Sequence, residues 1–173
     1  MARSDRADYT IQDHYNLSLN MDNKCYPVRI IDTSGQEDYR VLLQDAIDDG
    51  DGIIVVFSLD SAQSFNRAKE LVDLVKATKG YGNIALEDIP VALVGNKSDL
   101  GRRKVGSREL VTAAERMGCQ SFECSARTGQ NLWDPFHGVM RGIWRLAELE
   151  GLRTRLESAE KVEGVDISIP AWI

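Results

Sequence analysis

Two short stretches limit what this chain can fold into more than any others. Gly52 to Leu59 and Val91 to Val94 are continuous β-branched and apolar runs, the pattern of strands buried on both faces of a sheet. Each leads into helical spacing. After the first, Asp60-Ser61 can cap a helix whose Phe65, Ala68, Leu71, Val72 and Val75 share one face. After the second, Ser107 starts a helix with Leu110, Ala113, Ala114 and Met117 inward and Gly118 as its stop. Strands alternating with helices imply parallel strand–helix–strand units with helices on both faces of the sheet.

The segment before residue 52 has a different rhythm. Leu17, Leu19 and Met21 alternate with Asn16, Ser18 and Asn20, which predicts a half-buried strand. Asp22-Asn23 is a turn signal, and Cys25 to Ile31 returns as a second strand, giving an antiparallel hairpin. Pro27 removes a ladder donor, so it belongs at the start or edge of that strand. Tyr39, Leu42, Leu43 and Ala46 then have helical spacing. Ser121 to Cys124 reads as a short strand. A last helix from near Asn131 carries Phe136, Val139, Met140, Ile143 and Ala147 on one side, with Pro135 in its first turn. Residues 1 to 8 are a polar start, and residues 159 to 173 read as a tail, although Val165, Ile167 and Ile169 alternate as a strand would.

The 173 residues suit one domain with a proper core. The net charge of −6 and pI near 5.0 argue against a nucleic-acid-binding surface. Arg102-Arg103-Lys104 is the only tight basic cluster and reads as a solvated loop. Cys25, Cys119 and Cys124 are odd in number and lack metal-ligand spacing, which points to reduced thiols in a cytosolic protein. No stretch resembles a signal peptide, and Ile53 to Phe57 is too short to span a bilayer. His14 and His137 have no partners at catalytic spacing, and Trp133, Trp144 and Trp172 read as packing.

Chemistry concentrates at strand ends. Asp32-Thr33-Ser34-Gly35-Gln36-Glu37 follows the strand ending at Ile31, and open α/β sheets bind ligands at the carboxyl ends of their strands. A carboxylate there can hold Mg²⁺ through water, a glycine can bring its N–H against a phosphate, and a glutamine can orient a water. Alone, the segment also reads as a turn before a surface helix. It resembles the D-x-x-G-Q element of the Ras-like small GTPases, with Ser34 for the usual Ala. Asn96-Lys97-Ser98-Asp99 resembles the N-K-x-D guanine reader of that family, and Cys124-Ser125-Ala126-Arg127 its S-A-K element, with Arg127 for Lys. Thr10-Ile11-Gln12-Asp13-His14-Tyr15 resembles its first switch, T-I-E-D-S-Y, departing at Gln12 and His14.

That resemblance, four elements in the family's order from residue 8 to about 150, implies a fold and an activity. The fold is α/β, a three-layer P-loop NTPase-like sheet, mostly parallel, with an antiparallel hairpin at one edge. The implied function is a GTP-binding molecular switch in signal transduction that hydrolyses GTP to GDP. Gln36 would orient the attacking water. Thr10 and Asp32 would hold Mg²⁺, and Gly35 the γ-phosphate. Asn96, Lys97, Asp99, Ser125, Ala126 and Arg127 would hold the base. Asp99 can accept both the N1–H and the exocyclic amine of guanine, whereas adenine would leave it unpaired. Effectors and regulators would bind through Thr10–Tyr15 and the segment after Gly35. The family also implies a cytoplasmic protein, peripheral at the inner face of the plasma membrane in some members. The C-terminal Ile-Pro-Ala-Trp-Ile carries no prenylation cysteine.

One family element is absent from the sequence. The phosphate-binding loop G-x-x-x-x-G-K-[ST] should lie about twenty residues before the first switch, yet only nine residues precede Thr10. Gly101 to Gly106 fits G-x-x-x-x-G, but Ser107 follows where Lys should. Charge-assisted hydrogen bonds contribute about 1.5–3 kcal/mol each, so losing roughly four costs on the order of 6–12 kcal/mol. That moves a picomolar site to between nanomolar and millimolar. The strand leading into that loop is central in the family's sheet, so the expectation is a domain over 8–151 lacking its first, central strand and N-terminally incomplete, with 152–173 as a helix extension and tail. The tail segment Val165–Ile169 filling that gap is the less favoured arrangement. The competing functional reading is a pseudo-GTPase, an interaction module without nucleotide turnover.

Overall fold

The computed structural model describes residues 12–21, 23–33, 40–79, 90–149 and 165–170. The elements run β1 (Gln12–Met21), β2 (Lys24–Thr33), α1 (Arg40–Asp49), β3 (Gly52–Ser58), α2 (Ala62–Lys79), β4 (Val91–Asn96), α3 (Ser107–Arg116), β5 (Gln120–Glu123), α4 (Asp134–Leu149) and β6 (Val165–Pro170). They build one six-stranded sheet in the order β1-β2-β6-β3-β4-β5. Only the β1–β2 pair is antiparallel; β2–β6, β3–β6, β3–β4 and β4–β5 are parallel. The mostly parallel α/β sheet with a hairpin at one edge is the architecture expected from the sequence.

The local chemistry follows the pattern. Asn23 takes a left-handed conformation (φ 63°) at the hairpin turn, a geometry that Asn tolerates better than most residues. Pro27 faces Ser18 on the β1 side, and pairing to β6 begins only at Val28, so the missing N–H falls outside that ladder. Ser61 caps α2, its Oγ accepting the Ser64 N–H at 3.2 Å. All five residues of the α2 stripe are buried: Phe65, Ala68, Leu71, Val72 and Val75. The last helix starts at Asp134, three residues later than expected. Asn131 is left-handed (φ 52°) and its Nδ2 donates to the Glu123 carbonyl at 3.1 Å, so the chain turns there and the helix waits for Pro135.

Two cores cover the two faces of the sheet. One packs Ile47, Phe65, Leu71, Val72, Val75 and Leu110 from α1, α2 and α3 against Ile53, Val55, Phe57 and Leu93. The other packs Val139, Met140 and Ile143 of α4 with Ile54, Val94, Val28 and Ile30, and with Leu19 and Met21 of the hairpin. Gly52 lets α4 close on β3: a Cβ there would lie 2.3 Å from Val139 Cγ1.

The centre of the sheet corrects the sequence reading. The central position is filled, and residues 165–170 of the expected tail fill it. The strand pairs with β2 from Val28–Val165 to Thr33–Pro170, and with β3 at Gly52–Ile167 and Ile53–Ser168. Val165 and Ile167 join the α4-side core. Asp166 is clamped from both sides. Its N–H donates to Asp51 Oδ2 at 3.0 Å, its carbonyl accepts the Asp51 N–H at 2.8 Å, and its carboxylate receives the Arg29 guanidinium at two points. The less favoured arrangement is the observed one because the buried edges of β2 and β3 need a ladder partner, and Val165, Ile167 and Ile169 have the alternation to supply it.

Candidate nucleotide site

Parallel pairing brings the carboxyl ends of β2, β6, β3, β4 and β5 to one edge of the sheet. Asp32 and the two loops after β4 and β5 therefore share that edge. Neighbouring strands lie about 4.8 Å apart, so Asp32 on β2 and Asn96 on β4, three strand spacings apart, are separated by roughly 14 Å across the sheet.

The loops after β4 and β5 form one bonded unit. Asn96 Oδ1 accepts the Lys97 N–H at 2.7 Å and the Ala126 N–H at 3.0 Å, bridging both loops. Ser125, fully buried, donates its hydroxyl to Asp99 Oδ1 at 2.6 Å and accepts the Thr128 N–H at 3.2 Å. Backbone bonds fix the loops to each other and to β3: Ser98 N–H to the Cys124 carbonyl at 3.0 Å, and Leu59 N–H to the Asn96 carbonyl at 3.0 Å. Lys97 sits at φ 65°, an uncommon conformation for a residue with a side chain and one that concentrates at binding sites. The Ser98 hydroxyl is buried without a partner among the described residues. Asp99 and Arg127 are exposed at the mouth of this unit.

This end suits a guanine. The Ser125 bond fixes the Asp99 carboxylate, an acceptor able to take two adjacent donors. Asn96 keeps its amide NH₂ for a ring nitrogen. The Ala126 N–H is held by Asn96 Oδ1, 3.0 Å away. Asp60, expected from the sequence only as part of the cap of α2, stands beside this end. Its carboxyl is held below the usual range chiefly by the Ser58 hydroxyl at 2.5 Å, with the Lys97 and Arg102 charges adding to it.

The β2 end has a different chemistry. Asp32 is half-buried and lies directly opposite Asp13 in the hairpin ladder, and Tyr15 donates its hydroxyl to Asp13 Oδ2 at 3.1 Å. Burial pushes the Asp32 carboxyl up, and the Asp13 charge pushes it further. Thr33 beside it is buried, and its hydroxyl has no partner among the described residues. A hard cation fits here, since it would neutralise a desolvated carboxylate facing another one. No group of three or more His, Cys, Asp or Glu side chains gathers among the described residues. Thr10, Gly35 and Gln36 lie outside the described residues. Of the expected site residues, the structure thus brings Asn96, Lys97, Asp99, Ser125, Ala126 and Arg127 together and puts Asp32 along the same edge.

Comparison with known proteins agrees with this geometry. The Ras family model matches residues 3–145. Ras-like protein 2 of Mucor circinelloides f. lusitanicus is 34% identical over 142 residues, covering 82% of this chain and 69% of that protein. Protein ras-2 of Neurospora crassa is 32% identical over 151 positions, covering 79% and 66%. Ras-like protein 1 of Pyricularia oryzae is 32% identical over 152, covering 80% and 63%. The chain therefore spans about two thirds of the length of these relatives. With the family model matched over most of its length and relatives 32–34% identical, the chain belongs to the Ras family of small GTPases.

Proposed function

We propose that this chain works as a GTP-binding molecular switch in signal transduction, hydrolysing GTP to GDP. The bonded unit of Asn96, Asp99, Ser125 and Ala126 carries the reading. A carboxylate fixed by a buried serine at the carboxyl edge of a parallel sheet is built to select guanine over adenine. Asp99 would accept the two adjacent guanine donors, Asn96 would donate to the ring nitrogen, and the Lys97 stem and Arg127 would flank the base. Asp32 and Thr10 would hold Mg²⁺, which when bound neutralises charge on the phosphates. Gly35 would approach the γ-phosphate, and Gln36 would orient the attacking water. Effectors would engage Thr10–Tyr15 and the segment after Gly35, whose positions would respond to the γ-phosphate. We place this activity in the cytoplasm.

For the 173 residues tested, which hold no G-x-x-x-x-G-K-[ST], the expected affinity lies between nanomolar and millimolar rather than picomolar. Titration of GTP, GDP and ATP with Mg²⁺ against the purified chain tests the proposal, together with single-turnover GTP hydrolysis. Saturable binding confined to the guanine nucleotides, with hydrolysis lost in Gln36→Leu, supports it. Equal binding of ATP and GTP, or no saturable binding up to millimolar nucleotide, overturns it. Guanine-selective binding without hydrolysis would instead identify a non-hydrolysing interaction module.

A further inference from the structure

An open cleft of about 660 Å³ runs between α2 and α3, on the face of the sheet away from α4. Its floor is apolar. Phe65 of α2 is buried, and Ala113 and Met117 of α3 are partly buried against the same core. Hydrogen bonds pin α3 at both ends. Just before it, the Leu59 carbonyl accepts the Lys104 and Val105 N–H groups at 2.8 and 3.1 Å. Just after it, Lys76 Nζ of α2 donates to the Gly118 carbonyl at 3.2 Å. The cleft is therefore preformed, as ligand clefts usually are.

Its rim reverses the sign of the chain. Arg108, Thr112 and Arg116 stand four residues apart along one wall, a row on one face of α3. Lys69 lies on the α2 wall, its Nζ 4.7 Å from the Phe65 ring centroid. Glu109 is the one carboxylate in the lining. Other cations of the fold have carboxylate partners: Arg29 with Asp166, Arg67 with Glu70 and Arg103 with Glu123. Lys69, Arg108 and Arg116 have none among the described residues. In a chain of net charge −6, three such cations facing one cleft make it a local site for negative charge. From Arg108 to Arg116 the wall spans about 12 Å, roughly two turns of a facing helix.

We propose that this cleft docks an acidic amphipathic helix of a partner protein. Apolar side chains on one stripe of that helix would cover Phe65, Ala113 and Met117, and carboxylates flanking the stripe would meet Arg108, Arg116 and Lys69. Concavity favours a helix over a membrane: a flat lipid surface would reach the rim and leave the floor wet, whereas a helix lying in a groove reaches both. The described helices of this chain already bury their apolar stripes against their own sheet, so the occupant is a different protein rather than a second copy. Docking here goes beyond nucleotide binding and does not depend on it.

Peptide titration against the full chain tests the proposal. The probe is a peptide of roughly fifteen residues, kept helical by a side-chain lactam, with leucines at i, i+4 and i+7 and glutamates beside them. A copy with lysine for each glutamate is the control. Fluorescence anisotropy should show saturable binding of the acidic peptide, weakened by salt, with amide shifts on α2 and α3. Arg108→Glu combined with Arg116→Glu should lower the affinity about ten-fold or more, and Glu109→Gln should tighten it several-fold. The same reversal at Arg141 and Arg145, exposed on α4, should change nothing. Thr112→Trp, which fills the cleft without altering charge, should also remove binding, and it keeps the test readable if the double variant misfolds. Equal binding of the two peptides, equal loss in the α4 variant, or no saturable binding up to millimolar peptide overturns the proposal. Phosphatidylserine vesicles that bind through Arg108 and Arg116 while the peptide does not would overturn it in favour of a membrane contact.

Discussion

The two ends of the site are assembled in different ways. The end proposed for the base comes from two loops about thirty residues apart, each leaving a strand, and side chains and backbone bond them directly through Asn96, Ser125 and Asp99. The Asp32 end, proposed for the cation, depends on β2, whose inner neighbour is a strand from the other end of the chain. One end is local and closed on itself; the other is only as firm as the seating of β6. Base recognition should therefore survive changes that loosen the centre of the sheet, and the reverse should also hold.

The largest expected effect comes from emptying the centre. Ile167 is fully buried in the α4-side core, so Ile167→Ala should cost about 2–5 kcal/mol of stability by chemical denaturation. The ratio of guanine to adenine affinity should hold at a temperature where the variant stays folded. The converse change is Asp99→Ala. It should lower guanine-nucleotide affinity by about 100-fold and remove the preference over ATP, because the paired donors of the base lose their acceptor. The same change leaves the buried Ser125 hydroxyl without its acceptor, so it should also cost about 1–3 kcal/mol of stability.

Smaller effects sharpen the contrast. Gly52→Ala forces a methyl against Val139 and Ile143 and should cost about 1–3 kcal/mol by overpacking, again without changing base selectivity. The thiols give the gentlest probe. Burial pushes Cys119 up to about 11 and raises Cys124 as well, while Cys25 is exposed. A raised thiol constant keeps the unreactive protonated form, so at pH 8 a thiol reagent should label Cys25 quickly and the other two only on unfolding. Because Cys124 lies beside the base loops, its Sγ 3.9 Å from Asn96 Oδ1, guanine nucleotide should slow its labelling further.

Much of this was legible in the sequence, and for physical reasons. The buried runs Gly52 to Leu59 and Val91 to Val94, the α2 stripe and the hairpin alternation each depend on local periodicity, and all form the elements that periodicity predicts, with ends shifted by a few residues. The loops after β4 and β5 were legible because their side chains stand at the fixed spacing of the family's motifs, and the structure bonds them to each other. The helix at Asp134 was misplaced by three residues because a left-handed asparagine leaves little trace in composition. β6 was the serious miss. Val165, Ile167 and Ile169 showed the right alternation, but six residues after a charged stretch carry no local signal that they pair with strands more than a hundred residues earlier. Only the need of β2 and β3 for a shared partner decides it, and that is a property of the assembled sheet. The Ser58–Asp60 bond escaped for the same reason.

The most direct test of the account is a GDP titration followed by the backbone amide resonances of the isotope-labelled chain. The account predicts the largest shifts at Asn96 to Asp99 and Ser125 to Arg127, smaller ones near Asp32, and almost none in α2 and α3. Silent base loops, with shifts gathered on the α2–α3 face, would contradict it.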